Sequence, residues 1–532
     1  MNRGTMMELP LTIEMIAQRA SGLTSQVEIV SRRPDRSVHR TTYGAVLARA
    51  RRLARALVGA GIRPGDRVAT LMWNHAEHLE AYFGIPLAGA VVHTLNLRLP
   101  PDEIGSIAAD AKDRLLVVDE VLLPLLDKFR SIAGCFERIL VAGATRKTEG
   151  LEDYEAFLAS APAPEDAALP ALREEQPLGT CYSSGTTGKP KGVVYTHRST
   201  VLHTLVAALP DSLDISRRDT LLPVVPMFHV NAWGLPYIAA MVGAKLVFPG
   251  PHLDASSLLE LMEQERVTVA AGVPTIWLGI RDALEAQPRK LQPGVRMIVG
   301  GSAAPEKLIR DFDRLGLTLI HAWGMTETSP IGLVSRLPPE AKDWTEDERY
   351  QLRAKQGVPP PLIEVRVCKD AGEVPRDGKT SGEVQVRGPW VTARYANQNA
   401  PDRWTPDGFF CTGDVATVDD RGFIQLVDRM ADLIKSGGEW IASQALENHL
   451  MGHPAVREAA VIGVPDPKWS ERPLAVIAFK PGQSASEEEL KAFVCEKFPR
   501  YWAPDRMAVV DAIPRTSAGK FDKRALRNQY RS

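Results

Sequence analysis

The sequence predicts an α/β protein with a large N-terminal domain of mixed and parallel sheets and a small C-terminal α/β domain. The chain has 532 residues, 44% of them hydrophobic, which exceeds the needs of one core and suffices for two or three domains. Short β-branched segments alternate with helical patterns up to about Arg429, and a smaller unit begins at Asp432. We therefore predict domains at residues 1–430 and 431–532.

The alternation is clearest between Leu291 and Glu327. The segment VRMIVGG predicts a strand, a helix opens at Pro305 and ends at Gly316, and LTLIHAW predicts the next strand. Such a β-loop-α-β unit implies parallel strands, and the loops after them, GGSAAP and WGMTE, lie where open α/β sheets bind ligands. In the C-terminal unit, AAVIGV and PLAVIAF predict strands between two helices, at residues 444–451 and after Ser486.

The composition argues against several classes of protein. No apolar run reaches the roughly 20 residues of a membrane helix, and MNRGTMMELP lacks a signal-peptide core, so we expect a cytoplasmic protein. Five widely spaced cysteines without CxxC or Cys/His pairing argue against disulfides and zinc. A formal net charge of −1 gives no basic surface for nucleic acid.

The stretch SSGTTGKPKG, residues 183–192, has the composition of a phosphate-binding loop. Glycines let backbone N–H groups approach phosphate, and lysine adds a point charge. The Walker A pattern needs four residues between its glycine and GK, whereas GTTGKP has two, so this is not a P-loop NTPase motif. A flexible turn is the alternative, but the stretch joins two predicted strands, GTCYSS and GVVYTH, which favours a structured loop.

Seven motifs together resemble the adenylate-forming superfamily, in the same order and over almost the whole chain. They are SSGTTGKPKG, PMFHVNAW, GGSAAP, WGMTE, TGD, DRMADLIKSGGEW and PRTSAGK. The blocks PMFHVNAWGLPY, IKSGGEW and IPRTSAGK are most similar to bacterial medium- and long-chain fatty-acyl-CoA ligases. The resemblance implies that ATP activates a small carboxylic acid as acyl-AMP with Mg²⁺, that CoA then accepts the acyl group, and that the C-terminal domain is a mobile lid.

The resemblance also implies which residues bind the nucleotide. The loop from Ser183 to Lys191 would hold the β- and γ-phosphates, and Glu327, helped by the Ser183 hydroxyl, would hold Mg²⁺. Trp323 stands where the family usually has a tyrosine that stacks on adenine. The full set of implied ATP or AMP contacts is Ser183, Thr186, Thr187, Lys191, Gly300, Gly301, Ser302, Trp323, Gly324, Met325, Thr326, Asp414 and Arg429, with Asp414 on the ribose hydroxyls and Arg429 as its donor partner.

In the C-terminal domain, the resemblance assigns Lys520 of RTSAGK to the α-phosphate and carboxylate during adenylation. A solvated lysine in a generally basic tail is the alternative. The domain would then rotate about a hinge at Ala431, where relatives usually carry aspartate or lysine, and present a glycine-containing segment to CoA. The implied CoA contacts are Lys435, Gly437, Gly438, Glu439 and Trp440.

For the acyl side, the resemblance implies His229, Val230 and Trp233. Trp233 follows one helical turn after His229, which predicts that both side chains share a face. In related fatty-acyl ligases that tryptophan gates the acyl tunnel, and a core tryptophan is the alternative. No basic residue in VNAWGLPY or GGSAAP would pair with a second charge, so we predict a monocarboxylate with an apolar tail.

Other functions remain open at the level of sequence. The substrate could be a short thio- or aryl acid such as methylthiopropionate. The protein could also load a carrier protein, although no carrier domain follows in the sequence, or be a catalytically silent nucleotide-binding scaffold. The sequence keeps all five charged residues that the resemblance assigns to the site, which argues against a silent protein. These residues are Lys191, Glu327, Asp414, Arg429 and Lys520. The resemblance further implies a homodimer formed through the large domain.

Overall fold

The computed structural model describes residues 4–164, 168–183, 190–370, 372–437, 439–516 and 520–530. Within these ranges the chain forms four β-sheets with helices packed against them. None of the helices in the described ranges is both long enough and apolar enough to cross a membrane.

The helices are α1 (Ile13–Leu23), α2 (Tyr43–Gly59), α3 (Ala76–Leu87), α4 (Pro101–Ala111), α5 (Leu123–Ala133), α6 (Tyr154–Ala159), α7 (His197–Ala207), α8 (Leu235–Val242), α9 (Ala255–Gln264), α10 (Pro274–Ala286), α11 (Glu306–Arg314), α12 (Glu346–Arg353), α13 (Ser443–Leu450), α14 (Glu487–Cys495) and α15 (Lys523–Gln529). The strands are β1 (Glu28–Arg32), β2 (Val38–Thr42), β3 (Arg67–Leu71), β4 (Val91–Thr94), β5 (Leu115–Asp119), β6 (Arg138–Ala142), β7 (Glu152–Asp153), β8 (Pro177–Ser183), β9 (Lys191–Thr196), β10 (Thr220–Pro223), β11 (Lys245–Phe248), β12 (Val269–Gly272), β13 (Arg296–Val299), β14 (Thr318–Gly324), β15 (Ile331–Val334), β16 (Glu364–Lys369), β17 (Gly372–Glu373), β18 (Gly382–Arg387), β19 (Phe410–Val418), β20 (Ile424–Arg429), β21 (Ile434–Ser436), β22 (Glu439–Ile441), β23 (Val456–Asp466), β24 (Ser470–Phe479) and β25 (Arg506–Val509).

Two large, mostly parallel sheets form the N-terminal part. One has the order β7-β6-β5-β3-β4-β8-β9, and the other β15-β14-β13-β12-β10-β11-β1-β2. Antiparallel pairs occur only at their edges, at β8/β9, β14/β15 and β1/β2. The largest apolar core takes side chains from both sheets and from the helices between them, including Val68, Tyr82 and Leu246. This arrangement aligns the loops that follow parallel strands, as the alternating sequence pattern predicts.

The predicted β-loop-α-β unit is confirmed as β13, α11 and β14. The two strands pair in parallel, with Ile298 opposite Ile320. Leu308 and Phe312 of α11 are fully buried, which accounts for their helical spacing in the sequence. Pro305 is the N-cap residue, one position before the first helical turn, because its fixed φ suits an extended entry into the helix.

The predicted strands GTCYSS and GVVYTH are also confirmed, as the antiparallel pair β8 and β9. Thr186 and Thr187 of the loop between them lie outside the described residues. A smaller antiparallel sheet, β17-β16-β18-β19-β20, follows the two large ones.

The C-terminal part has its own sheet, β22-β21-β24-β23, with β25 added in parallel beside β24. The helices predicted after Ser486 and near residues 444–451 are confirmed as α14 and α13, and the Ser486 side chain accepts a hydrogen bond from the Glu489 backbone N–H. Asp428, near the end of β20, caps α13 by accepting from the backbone N–H of Ser443 at 2.6 Å. The two parts of the chain are therefore joined by a short, hydrogen-bonded connection.

Candidate active site

Trp323, Asp414 and Arg429 come together from three strands, β14, β19 and β20. Trp323 lies at the end of β14, and Asp414 and Arg429 face each other across the antiparallel pair β19/β20. The indole Nε1–H donates to Asp414 Oδ2 at 2.8 Å, and Arg429 Nε lies 3.4 Å from Asp414 Oδ1. Asp414 is only 6% exposed. Because both of its oxygens face donors, its carboxylate is held in one orientation.

Gly332 on β15 makes room for the Trp323 ring. A Cβ atom on this glycine would lie 2.5 Å from a carbon of the six-membered ring. The indole therefore fits where a smaller tyrosine is usual because its neighbour has no side chain. Gly332 lies outside the sequence motifs, and its role depends on the strand pairing of β14 with β15.

Glu327 lies in a short 3-10 turn after β14 and is 4% exposed. The Tyr395 hydroxyl donates to its Oε1 at 2.9 Å. Lys191 Nζ lies 5.1 Å from the centre of the Tyr395 ring, within reach of a cation–π interaction. Burial, with the nearby cation of Arg403, lowers the pKa of Lys191. Tyr395 is thus a common neighbour of the two predicted phosphate-side residues, and it lay outside the sequence motifs.

Magnesium fits this corner of the site. Within the described part of the chain, no cluster of three or more His, Cys, Asp or Glu could hold a metal by itself. Mg²⁺ commonly uses one or two carboxylates together with substrate phosphates. Tyr395 is the one hydrogen-bond donor to the Glu327 carboxylate among the described residues, and it occupies Oε1, which leaves Oε2 as an oxygen ligand. Ser183, at the end of β8, is half-buried.

Lys520 approaches the same place from the C-terminal part. A Cβ atom on Gly301 would lie 3.7 Å from Lys520 Cε, so the lysine stem runs along the GGSAAP loop. Burial, with the cation of Arg429, lowers the pKa of Lys520 to about 8, while Asp414 and Glu327 act in the opposite direction. A single lysine thus lies within electrostatic reach of both carboxylates of the candidate site.

The GGSAAP loop contacts the acyl-side tryptophan as well. A Cβ on Gly300 would lie 3.1 Å from the Trp233 indole. Gly301 has φ +86°, which favours glycine. Buried His321 holds the loop by accepting from the Ala304 N–H at 3.4 Å, and burial lowers its pKa to about 4.

The other implied nucleotide contacts differ in exposure and packing. Ser302 is exposed, whereas Thr326 is buried. Gly324 packs on the Pro330 carbonyl, and the Met325 N–H donates to that same carbonyl.

The predicted helical turn from His229 to Trp233 is wrong. Val230, Asn231, Ala232 and Trp233 all have φ between +43° and +58°, so the turn is left-handed. Left-handed helical geometry costs L-residues roughly 1–2 kcal/mol each. Packing fixes it: a Cβ on the next residue, Gly234, would lie 2.9 Å from the buried His203 ring. The i, i+4 argument fails because it assumes right-handed geometry.

His229 is half-buried at the start of this turn. Burial, together with the cations of Lys520 and Arg98, lowers its pKa to about 4. The ring is therefore neutral near pH 7 and within electrostatic reach of Lys520. Arg98, which the sequence motifs did not include, is a second cation near His229, and its guanidinium lies 5.7 Å from the Phe228 ring centre.

The segment predicted to bind CoA forms the hairpin β21/β22, and Gly438 lies outside the described residues. A Cβ on Gly437 would lie 2.7 Å from the Trp469 ring. Trp440 and Trp469 are 53% and 42% exposed, and Lys435 Nζ lies 5.8 Å from the Trp440 ring centre. Glu439 is exposed at the start of β22. The hairpin therefore presents aromatic faces to solvent, while Lys520 is the C-terminal residue turned toward Asp414.

The predicted hinge residue, Ala431, has a polar contact despite its apolar side chain. Arg527 of α15 donates to the Ala431 carbonyl at 3.1 Å and pairs with Asp432. The contact comes from the last helix of the chain, which the sequence pattern around Ala431 could not indicate.

Comparisons with known proteins agree on one family. The AMP-binding enzyme family matches residues 17–396, and its C-terminal domain family matches residues 445–520. A long-chain-fatty-acid–CoA ligase of Thermus thermophilus is 48% identical over 99% of this chain and 97% of its own length. A 3-methylmercaptopropionyl-CoA ligase of Ruegeria pomeroyi is 43% identical over 99% of both chains, and a medium-chain-fatty-acid–CoA ligase of Ectopseudomonas oleovorans is 42% identical over 99% and 97%.

Solved structures give the same result for the fold. An anthranilate CoA ligase in complex with anthranoyl-AMP superposes with a TM-score of 0.87 at 26% identity, covering 98% of both chains. An o-succinylbenzoate CoA synthetase of Bacillus subtilis in complex with its acyl-adenylate has a TM-score of 0.81 at 26% identity over 99% of both. The predicted fold class and the resemblance to adenylate-forming enzymes are confirmed. This chain therefore belongs to the AMP-binding enzyme family.

Proposed function

We propose that this protein is an AMP-forming acid–CoA ligase that converts a medium- or long-chain fatty acid into its CoA thioester. ATP and CoA are its co-substrates, in keeping with the family and with the full-length relatives. One observation carries the proposal: Lys520 reaches Gly301 in the same region where Trp323, Asp414 and Glu327 converge. Lys520, together with Arg429, lies beside two fixed carboxylates and an indole, an arrangement that suits a nucleotide whose α-phosphate meets an acid.

In the first half-reaction, the acid's carboxylate oxygen attacks the α-phosphorus of ATP, and pyrophosphate leaves. Negative charge lies on both reactants, so catalysis depends on positioning and on fixed positive charge. Lys520, with a pKa of about 8, keeps its proton near pH 7 and supplies that charge. Burial of the lysine stem beside Gly301 keeps the ammonium group in place.

The remaining roles follow from the side chains around it. We assign the adenine to the Trp323 face and the ribose hydroxyls to Asp414, with Arg429 as its partner. Lys191, with Ser183, Thr186 and Thr187, belongs to the phosphates. When Mg²⁺ is bound, Glu327 and the Ser183 hydroxyl would hold it, and it would neutralise phosphate charge.

The second half-reaction needs a different face of the C-terminal part. We propose that residues 431–532 rotate about Ala431 relative to residues 1–430, and that the β21/β22 hairpin then meets the pantetheine of CoA. The exposed indole of Trp440 supports this role because it offers a stacking surface, and Gly437 lets the Trp469 ring pack against the same hairpin. Lys435, Gly438 and Glu439 belong to the same segment.

For the substrate, we propose an apolar monocarboxylate. Val230 is buried and Trp233 packs with the main apolar core, which gives the acyl side an apolar wall. A second candidate, a short thio acid, is favoured by the 43% identity to the 3-methylmercaptopropionyl-CoA ligase. A homodimer and a cytoplasmic location remain predictions.

A panel of acids tests the proposal. Purified protein is incubated with ATP, Mg²⁺, CoA and single acids spanning short, medium and long chains, with methylthiopropionate and aryl acids included, and both pyrophosphate release and CoA consumption are measured. We expect the highest kcat/KM for medium- or long-chain acids. Best activity with methylthiopropionate selects the second candidate. Acid-dependent pyrophosphate release without CoA consumption indicates a carrier-loading enzyme, and no release with any acid rejects the proposal.

A further inference from the structure

A buried histidine–aspartate pair lies in the seven-stranded sheet, outside the residues assigned above. Nδ1 of His93 in β4 lies 2.9 and 2.7 Å from the two carboxylate oxygens of Asp113. Both residues are fully buried. A carboxylate can only accept, so the hydrogen-bond network assigns the ring proton to Nδ1. The other nitrogen, Nε2, is left with a free lone pair.

His93 Nε2 has no hydrogen-bond partner among the described residues, although leaving a buried polar atom unpaired is costly. The ring lines a narrow cavity whose other walls include Cys181, Phe228, His229 and Val230. His229 is itself within electrostatic reach of Lys520. The cavity therefore connects the free lone pair of His93 to the acyl side of the candidate site.

The second half-reaction has a step that needs such a group. The attacking species is a thiolate, and an alkyl thiol with a pKa of about 8.5 is mostly protonated at pH 7. His229 is a weak base, since its surroundings lower its pKa to about 4. A histidine whose Nδ1–H is held by a buried carboxylate is a better base, because that carboxylate stabilises the imidazolium.

We propose that His93 is the general base that takes the thiol proton of CoA in the second half-reaction, with Asp113 as its positioning residue; this rests on the proposed function. The S–H proton moves to Nε2 through a water molecule in the cavity, which has room for about one, while sulfur forms a bond to the acyl carbon. The carbon–oxygen bond to the phosphate breaks, and its electron pair leaves with AMP. The proton then passes from Nε2 to solvent.

Several titratable groups face the His93 ring or its cavity. Asp113 contacts it directly and also faces Arg67 and Cys135. The other groups facing the ring or its cavity are Cys181, Tyr182 with its partner Asp110, and His229 with Arg98 behind it. Burial raises the pKa of the Cys181 thiol, so among the cavity walls only the histidines can act as bases near pH 7.

The test measures thioester formation from supplied acyl-AMP and CoA as a function of pH, for wild-type protein and His93→Asn. We expect the variant to lose about 10²-fold at pH 7 and its apparent pKa to rise toward that of the free thiol, about 8.5. Asp113→Asn should slow the reaction by less and shift the apparent pKa downward, because the imidazolium loses the carboxylate that stabilises it. Cys181→Ala, which changes the cavity wall without a base, should keep the wild-type pH profile.

ATP–pyrophosphate exchange in each variant reports folding and the first half-reaction, and should stay within about twofold of wild type, because a base for the thiol has no part in adenylation. If His93→Asn does not fold, His93→Gln provides the same readout, and Asp113→Asn provides the opposite, downward shift. An unchanged apparent pKa in the His93 variants, whatever their rate, overturns the proposal and leaves the pair structural. Failure of the wild-type protein to form any thioester would instead overturn the proposed function.

Discussion

The nucleotide side and the acyl side of the site are built by different means. Trp323 and Glu327 lie at or just after the end of β14, Asp414 lies within β19, and each has a hydrogen-bonding side-chain partner. Residues 230–233 instead form a left-handed turn whose geometry is imposed by packing. Fixed charged groups therefore determine the proposed nucleotide side, and the backbone conformation of the turn determines the proposed acyl side. Substitutions should therefore affect chemistry on the nucleotide side and selectivity or stability on the acyl side.

Lys520→Ala is the strongest way to test the charged half. Loss of a preorganised cation should cost about 3 kcal/mol or more in acyl-AMP formation, a loss of at least 10²-fold. Thioester formation from supplied acyl-AMP should persist. The measurement is ATP–pyrophosphate exchange, with Lys523→Ala as a control for loss of a C-terminal lysine. Unchanged exchange in the Lys520 variant would remove Lys520 from the first half-reaction.

Raising the pH removes the same charge without a substitution. Lys520 has a pKa of about 8, so the ammonium form dominates below pH 8 and is lost above it. We expect kcat/KM for ATP in the exchange reaction to fall as pH rises through about 8, since kcat/KM reports the free enzyme. The Lys520→Arg variant is the control, because its guanidinium stays charged and its profile should lack this fall. A fall at the same pH in both proteins would assign it to another group.

Gly332→Ala tests whether shape also matters on the nucleotide side. The added Cβ would overlap the Trp323 ring, and overpacking of this kind costs about 1–3 kcal/mol. We expect a raised KM for ATP and little change in the KM for the acid. Combining it with Trp323→Tyr should recover part of the loss, because the smaller ring leaves space. If the double variant is worse than either single one, the two residues do not compete for the same volume.

Trp233→Ala tests the acyl half. An apolar contact in a pocket discriminates substrates by about 1–3 kcal/mol, so chain-length preference should change while the KM for ATP stays nearly constant. Ratios of kcat/KM across the acid series provide the measurement. Phe228→Leu, a buried neighbour of the same turn, controls for general loosening of the fold. An unchanged preference would make Trp233 a core residue.

Ala232→Gly should have the smallest effect, and it isolates the strained backbone. Ala232 has φ +48°, which glycine adopts freely, so the substitution should raise the free energy of unfolding by up to about 1 kcal/mol. The same change in right-handed α8, Ala240→Gly, should lower it by about 0.5–1 kcal/mol. Denaturant unfolding compares the two. Destabilisation by both changes would mean that the turn carries no strain.

The charged residues of the candidate site could be predicted from the sequence because they lie in short motifs whose order can be read along the chain. The parallel unit around α11 followed from apolar spacing, and Glu327, Asp414 and Lys520 followed from their motifs. Their partners did not, since Tyr395 is 68 residues from Glu327 along the chain and Gly332 acts through a strand pair. The left-handed turn gave no signal, because Val230 and Ala232 are residue types that normally avoid positive φ. Tertiary packing decided that conformation.

Gly332 and Trp323 are tied to each other by volume. With the indole present, any side chain at position 332 must displace it, and with a smaller ring a glycine there would leave a gap beside the base-binding face. Substitution of either residue alone should disturb the packing between them. We therefore expect that residues 323 and 332 change together in evolution. If the proposed adenine site is correct, its width is inherited as a two-residue unit.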